Sequence, residues 1–449
     1  MPDASAAPPP TQTPPGALWL DRRFRLAERG TSVGTEARAG AVTFLTMAYV
    51  LFVNPQILSQ TGMPAADVLV ATALTAGLTT ILMGLYADLP FALAPGMGLN
   101  AYFTFGVVKG MGVTWEAALA ASFAAGVLFL VLARAGLRTA LVGAIPDSLK
   151  AATTVGIGLF LAIIGLRGAG LVVDHPETLV TLGDVRSAPV LLALVGTLVT
   201  AVLVARRVPG ALLAGVGLVT GIAWMTGLSP APGAVVQAPS LPRETFAALD
   251  FAALLDGRMI GVVVAFLFVG LFDTAGTLVG VSRMAGLLGP GGELPRADRA
   301  FTTDAIGTMG GALLGTSPVT AYVESAAGVQ EGGRTGLTAV VCGLLLIAAL
   351  LFAPIFTAVP AFATAPALLV VGAMMMEGAR HIAWDRFDEA LPAFLTVVGM
   401  PFTYSIANGI TLGIVSYVVL KLGTGQARAV PGLLYGLAVL LVAFFAFMG

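Results

Sequence analysis

The stretch LGTSPVTAYVESAAGVQ, residues 314–330, decides how the rest of the chain is read. It stands between two long apolar runs, where a further membrane-spanning helix is due. Instead, Thr316, Ser317, Pro318 and Thr320 interrupt the apolar pattern, and the carboxylate of Glu324 follows among small residues. Pro318 lacks an N–H and would open the turn before it. Irregular backbone at membrane depth is tolerated only inside protein or beside a watery cavity. An ionisable group there costs about 2.5–3.5 kcal/mol on insertion scales, so it marks a functional position. The stretch is expected to lie inside a helix bundle, with a new helix starting at about Ala321.

The composition around it agrees. The 449 residues are 57% hydrophobic and only 10% charged, with a mean hydropathy of +0.94. A soluble chain would carry about 25% charge, so the expected class is an all-α polytopic membrane protein. The 56 glycines and 27 prolines suit close helix packing and broken helices. Cys342 is the sole cysteine, and His175 and His381 fall in predicted loops. No disulfide, metal site or cofactor is therefore expected. Residues 1–15 lack the basic start and apolar core of a signal peptide and read as a disordered tail.

Membrane segments are expected at 41–59, 68–86, 91–108, 115–133, 149–166, 188–205 and 210–227. A second set follows at 259–281, 301–313, 314–330, 337–356, 364–376, 391–404 and 409–420. Numbered in order these are fourteen, of which the third and tenth are broken. The run 433–447 is either a fifteenth crossing or an interfacial helix. Cytoplasmic loops collect Lys and Arg. With the N-terminus inside, 18 of the 23 basic residues fall inside, and only Lys109, Arg167, Arg186, Arg243 and Arg258 fall outside. The expected organisation is a cytoplasmic tail (1–33), a first repeat (34–228), an outer linker (229–256), a second repeat (257–422) and a C-terminal piece (423–449).

Two repeats are suggested by paired features. Segment three breaks at Pro95–Gly96 and carries Asn100; segment ten breaks at Pro318 and carries Glu324. Segment one carries Asn54 and segment eight carries Asp273. The spacings, 46 from Asn54 to Asn100 and 51 from Asp273 to Glu324, are close. Seven crossings is an odd number, so a second copy would run inverted. Paired broken helices in inverted repeats point to a transporter's binding site. Gly270, Asp273, Thr277 and Gly280 share one helical stripe that is expected to face the bundle interior and let another backbone approach. Helix starts at about Met97 and Ala321 would offer unpaired N–H groups to a ligand. Asp273 and Glu324 would accept from its N–H donors, and Asn100 could do either. Asp147, Lys150, Asp298 and Asp304 read as caps or interfacial groups. The glycines of 286–292 lack the strand and Lys of a phosphate loop, so nucleotide hydrolysis is not indicated.

At these residues the chain resembles a known family. FLTMAYVLFVNPQIL, ALAPGMGLNAYFTF, GLFDTAGTLVG and GTSPVTAYVESAAGV are similar, in order, to motifs of the adenine/guanine/hypoxanthine permeases, a branch of the nucleobase–ascorbate transporter superfamily. The resemblance covers about residues 34–422. It implies fourteen segments in two inverted sevens, a core and a gate domain, and a purine held between segments three, eight and ten. By matched motif, Asn100, Asp273 and Glu324 would contact substrate, with Thr277, Ser317, Tyr322 and Ser325 as further candidates. Pro95, Gly96 and Pro318 would supply the broken backbone. The uracil and xanthine–urate branches usually carry glutamate where Asp273 stands.

The function expected is proton-coupled import of purine nucleobases across the cytoplasmic membrane. Asp273 and Glu324 have no basic partner in sequence, so one of them would carry the proton, Asp273 being the candidate. The expected partners are a purine nucleobase, the proton, the lipid bilayer and a second copy of the chain as a homodimer, without nucleic acid. A transporter of the same fold for uracil, xanthine or urate, or a small anion remains the alternative; an anion would call for a basic residue at the site. An intramembrane enzyme would need a nucleophile–base pair or metal ligands in the spans, and no intramembrane histidine is present.

Overall fold

The structure, a computed structural model, describes residues 15–134, 146–288, 294 and 296–448. The tail 1–14, Arg138 and much of the glycine-rich 286–292 lie outside the described residues. Among the described residues, nine helices are long and apolar enough to cross a membrane. The protein is thus a mostly helical, multi-pass membrane protein. Four short strands depart from the all-α expectation: β1 (Leu93–Pro95), β2 (Val172–His175), β3 (Leu179–Leu182) and β4 (Val319–Ala321). β2 and β3 form a hairpin, so His175 closes a strand and is not in a loop.

Helix boundaries follow ordinary caps. Ser32 accepts from the Thr35 N–H at the start of Val33–Met47, Thr335 from the Leu337 N–H at Gly336–Ala348, and Ser405 from the Asn408 N–H at Ile406–Gly423. Segment nine is longer than its short apolar run suggests, spanning Ala297–Leu314. It ends at Gly315, whose φ of +100° closes the last turn onto Gly311.

The helices pack as two groups. In one, Trp115–Arg134 lies against Ala297–Leu314 and Gly257–Met284, while Gly336–Ala348 lies against Ala65–Leu82 and Val33–Met47. In the other, Asp147–Gly168 packs on Ala361–Met375 and Phe387–Phe402, with Ala188–Ala205, Ala211–Met225 and Ile406–Gly423 completing it. The first group is the core and holds both breaks; the second is the gate. The helix Gly432–Met448 packs on Ile406–Gly423 and also reaches Gly257–Met284, so it touches both groups.

Basic residues expected on one side do gather at one end of the core. Asp88, buried and at φ +51°, accepts from Arg29 Nη2 and Arg296 Nη1 at 2.7 Å each and from the Gly336 N–H at 3.0 Å. Glu36, 0% exposed, accepts from the Arg334 N–H at 2.9 Å and the Thr338 hydroxyl at 2.6 Å. The described part of the expected tail 1–33 is folded. Pro15–Phe24 is a helix, and Phe24 and Leu26 are buried against Leu337, because an apolar face is available to cover them. At the opposite end, Asp67 accepts from the N–H groups of Arg243 and Glu244 at 2.8 and 2.7 Å, and the Thr245 hydroxyl donates to Leu314 O. The linker 229–256 is thereby tied to the core.

Candidate functional site

The two breaks meet. β1 and β4 pair antiparallel, with Leu93 opposite Ala321, Ala94 opposite Thr320 and Pro95 opposite Val319. The ladder continues on both flanks, where the Gly96 N–H donates to Pro318 O at 3.0 Å and the Tyr322 N–H to Ala92 O at 2.9 Å. Each proline sits where its missing N–H is not needed, and its carbonyl is used: Pro95 O accepts from the Tyr322 hydroxyl at 2.6 Å.

Groups left over by the ladder are bonded by hydroxyls from neighbouring helices. Thr80 accepts from the Leu93 N–H at 2.9 Å and donates to Leu93 O at 3.0 Å. Thr308 does the same for Val319, at 3.2 and 3.3 Å. Thr80 precedes its strand residue by 13 positions and Thr308 by 11. The Ala321 N–H reaches Thr274 Oγ1 at 3.1 Å, and the Ala92 N–H reaches Ser325 Oγ at 3.0 Å. Such bonding is what backbone removed from water requires.

Around this joint stand the polar side chains singled out in the sequence. Glu324 accepts from the Tyr49 hydroxyl at 2.7 Å. Asp273 lies against Thr320, within electrostatic reach of Glu324 and of Asp304. Asn100 donates to Asn54 Oδ1 at 3.0 Å, and Asn54 donates to Thr72 and Thr316 at 2.8 Å each. Asn100 Oδ1 and Ser317 Oγ are buried, and among the described residues neither has a hydrogen-bond partner. The side-chain amide orientations are those that satisfy this network. Thr277 is half-buried on the Asp273 helix. Asn100 Oδ1 can accept from a ligand N–H and the Ser317 hydroxyl can donate or accept, which suits a small ligand that carries N–H groups.

Several expectations change. Segment ten does not restart as a helix at Ala321: residues 319–321 are a strand, and the helix is Ser325–Gln330, just after Glu324. The first restart falls at Met97 as expected, whereas pairing with β1 satisfies the backbone of 319–321 and moves the second to Ser325. The hydroxyls of Tyr322 and Ser325 are engaged with the other break. The stripe on Gly257–Met284 is not closely approached along its length. Gly270 meets only the Leu99 side chain at 3.8 Å, and nothing stands within 4 Å of a Cβ built on Gly280. Asp304 is neither cap nor interfacial: it is 0% exposed within Ala297–Leu314, and neither carboxylate oxygen has a hydrogen-bond partner among the described residues. Tyr49, Thr80 and Thr308 were not singled out. The two threonines preceding the breaks at similar distances were the only signal available.

Known proteins resemble this chain in sequence and in fold. Residues 34–412 match the family described as Permease family. The chain is 45% identical over 437 residues to the guanine/hypoxanthine permease PbuG of Bacillus subtilis, covering 95% of this chain and 99% of that protein. It is 43% identical over 420 residues to the adenine permease AdeP of Escherichia coli, covering 93% and 94%. Among solved structures, the transmembrane domain of a cyanobacterium bicarbonate transporter, BicA, superposes with a TM-score of 0.60 at 17% identity, over 86% of this chain and 96% of that one. That likeness concerns the fold alone. The matched family, the relatives and the paired breaks agree: the chain belongs to the Permease family, in the purine-permease branch of the nucleobase–ascorbate transporters, and is a transporter and not an enzyme.

Proposed function

We propose that the protein imports purine nucleobases (adenine, guanine or hypoxanthine) with protons across the cytoplasmic membrane, its N-terminus on the cytoplasmic side. The observation that carries this reading is the joint of the two breaks, with Asn100, Asp273 and Glu324 gathered around it. Asn100 and the two carboxylates are the ligand contacts, with Ser317 and Thr277 beside them. Tyr322 and Ser325 hold the breaks together. The names of the relatives support the substrate class. The division into a core that carries the breaks and a gate packed against it supports transport by relative movement of the two, within two inverted repeats of seven segments.

Glu324 accepts purine N–H bonds as a carboxylate. Glu324→Gln removes a charge-assisted bond and is expected to weaken purine binding at least tenfold, about 1.5 kcal/mol. Wild-type affinity in the purified, folded variant would remove Glu324 from the site. The two carboxylates stand within electrostatic reach of each other, so one of them can carry the coupling proton. Asp273 is assigned the travelling proton because Glu324 already accepts from Tyr49. Asp273→Asn should bind purine but no longer accumulate it in proteoliposomes under an imposed pH gradient. Continued accumulation by this variant would move the proton to Glu324 or Asp304. Wild-type accumulation that ignores a protonophore and follows sodium would end the proton reading.

A further inference from the structure

Two of the basic residues assigned to the outer side, Lys109 and Arg167, line one cavity of about 530 Å³ between core and gate. A cavity of that size falls within the range that holds small molecules. Its core wall is reached by following the site helices outward. Along segment one, Gln56 and Gln60 come seven and eleven residues after Tyr49; along segment three, Phe105 and Lys109 come five and nine after Asn100. The Thr104 hydroxyl donates to Ile57 O at 3.2 Å and keeps the two segments level. At roughly 1.5 Å per residue, the cavity begins about 6–8 Å beyond the site, at Val53 and Phe105. Arg167 and Tyr404 stand on the gate wall.

The cavity has a defined chemistry. Phe105 and Tyr404 meet edge to face, with ring centroids 5.2 Å apart. The Arg167 guanidinium lies 5.5 Å from the Tyr404 centroid, and the Lys109 ammonium 5.5 Å from that of Phe105. Lys109 also donates to Gln60 Oε1 at 3.3 Å. No carboxylate is among the lining residues. Asp174 on the β2–β3 hairpin pairs with Arg167 at 3.3 Å, but it is 82% exposed and stands outside the lining. Aromatic walls bind a planar ring, and two cations favour one that carries negative charge. The central site has the opposite character, two carboxylates and no cation.

The geometry points to an outer binding site for anionic purines, held by Lys109, Arg167 and the Tyr404 ring and refused by the acidic centre. This goes beyond the transport reading and rests on it for the ligand class and for which side is outside. An ionised oxo-purine arriving from outside would occupy the vestibule and obstruct the neutral substrate. The test is direct binding to the purified protein, with urate as the anionic probe and adenine, guanine and hypoxanthine as neutral ones. Urate affinity is expected to fall about tenfold in Lys109→Gln/Arg167→Gln and to stay within about twofold in Glu324→Gln, while the neutral purines respond the other way round. Lys109→Arg/Arg167→Lys, which keeps the charges, should retain urate. Urate that does not bind the wild type, or binds the charge-neutral pair equally well, overturns the vestibule site. Urate that follows Glu324→Gln instead belongs to the centre and overturns it too. A wild type that binds urate but no neutral purine would fail the transport reading and leave the vestibule standing.

Discussion

The core joint and the gate solve the same problem, burying backbone in a membrane, in different ways. In the gate the helices are continuous and approach through small residues. A Cβ on Gly158 would stand 2.8 Å from Gly372 O, and one on Gly372 would stand 2.6 Å from Gly158 O. Gate polar groups mostly bond within their own helix, as Thr396 does to Pro392 O, or sit at helix ends. There Lys421, 1% exposed, pairs with Asp388 and, at 3.0 Å, with Glu389. In the core the backbone is broken twice, and bonds lost to the breaks are made again by the other break or by a hydroxyl. The difference separates roles: contact of continuous helices leaves their mid-helix backbone already paired, whereas a break leaves carbonyls, amides and acids that must be matched.

Three measurements sharpen or break this contrast, all read as melting of the purified protein in detergent. The largest effect is expected where core helices touch backbone to backbone. A Cβ on Gly336 would stand 2.0 Å from Gly84 O, and a carbonyl cannot swing aside as a side chain can. Gly336→Val should cost more than about 3 kcal/mol, and the gate counterpart Gly372→Val less, because overpacking scales with what must move. Gly217→Val, with nothing within 4 Å, is the control. Equal melting of all three would mean that these contacts do not set the packing.

Next come the hydroxyl clasps. Thr308→Val and Thr80→Val keep shape but strip the buried N–H of Val319 or Leu93 of its partner, at about 1–3 kcal/mol each. Similar losses in both would support two related breaks, and a large loss in only one would argue against them. The smallest effect is expected from the same substitution in the gate. The Thr396 hydroxyl donates only to Pro392 O, which is already a helix acceptor, so Thr396→Val should cost under about 0.5 kcal/mol. A loss equal to that of Thr308→Val would erase the distinction between joint and gate.

Much of the arrangement was legible because apolar runs and prolines act locally. Pro95, Pro318 and the interrupted hydropathy located both breaks, and Asn54, Asn100, Asp273 and Glu324 stood out as polar groups inside spans. Tyr49 did not, since one tyrosine in FLTMAYVLFV is ordinary for a membrane helix, and its bond to Glu324 joins residues 275 apart. Asp304 was misread because proximity to a charged helix start, at Asp298 and Arg299, resembles an interfacial position. It is buried because its helix packs against Trp115–Arg134 and Ala65–Leu82, with Thr274 nearby.

The sequence by itself determined the membrane class, the places where helices are interrupted and the polar residues that the bilayer would not tolerate unpaired, because each follows from the cost of exposing a polar group to lipid. The tertiary structure alone decided what the interruptions become. A chain that leaves the helix at Gly315 must find partners for its N–H and C=O groups. Whether it finds them in a restarted helix or in another strand depends on what stands opposite. Here β1 stands opposite β4, with Thr80 and Thr308 behind them, and the break becomes a two-stranded joint.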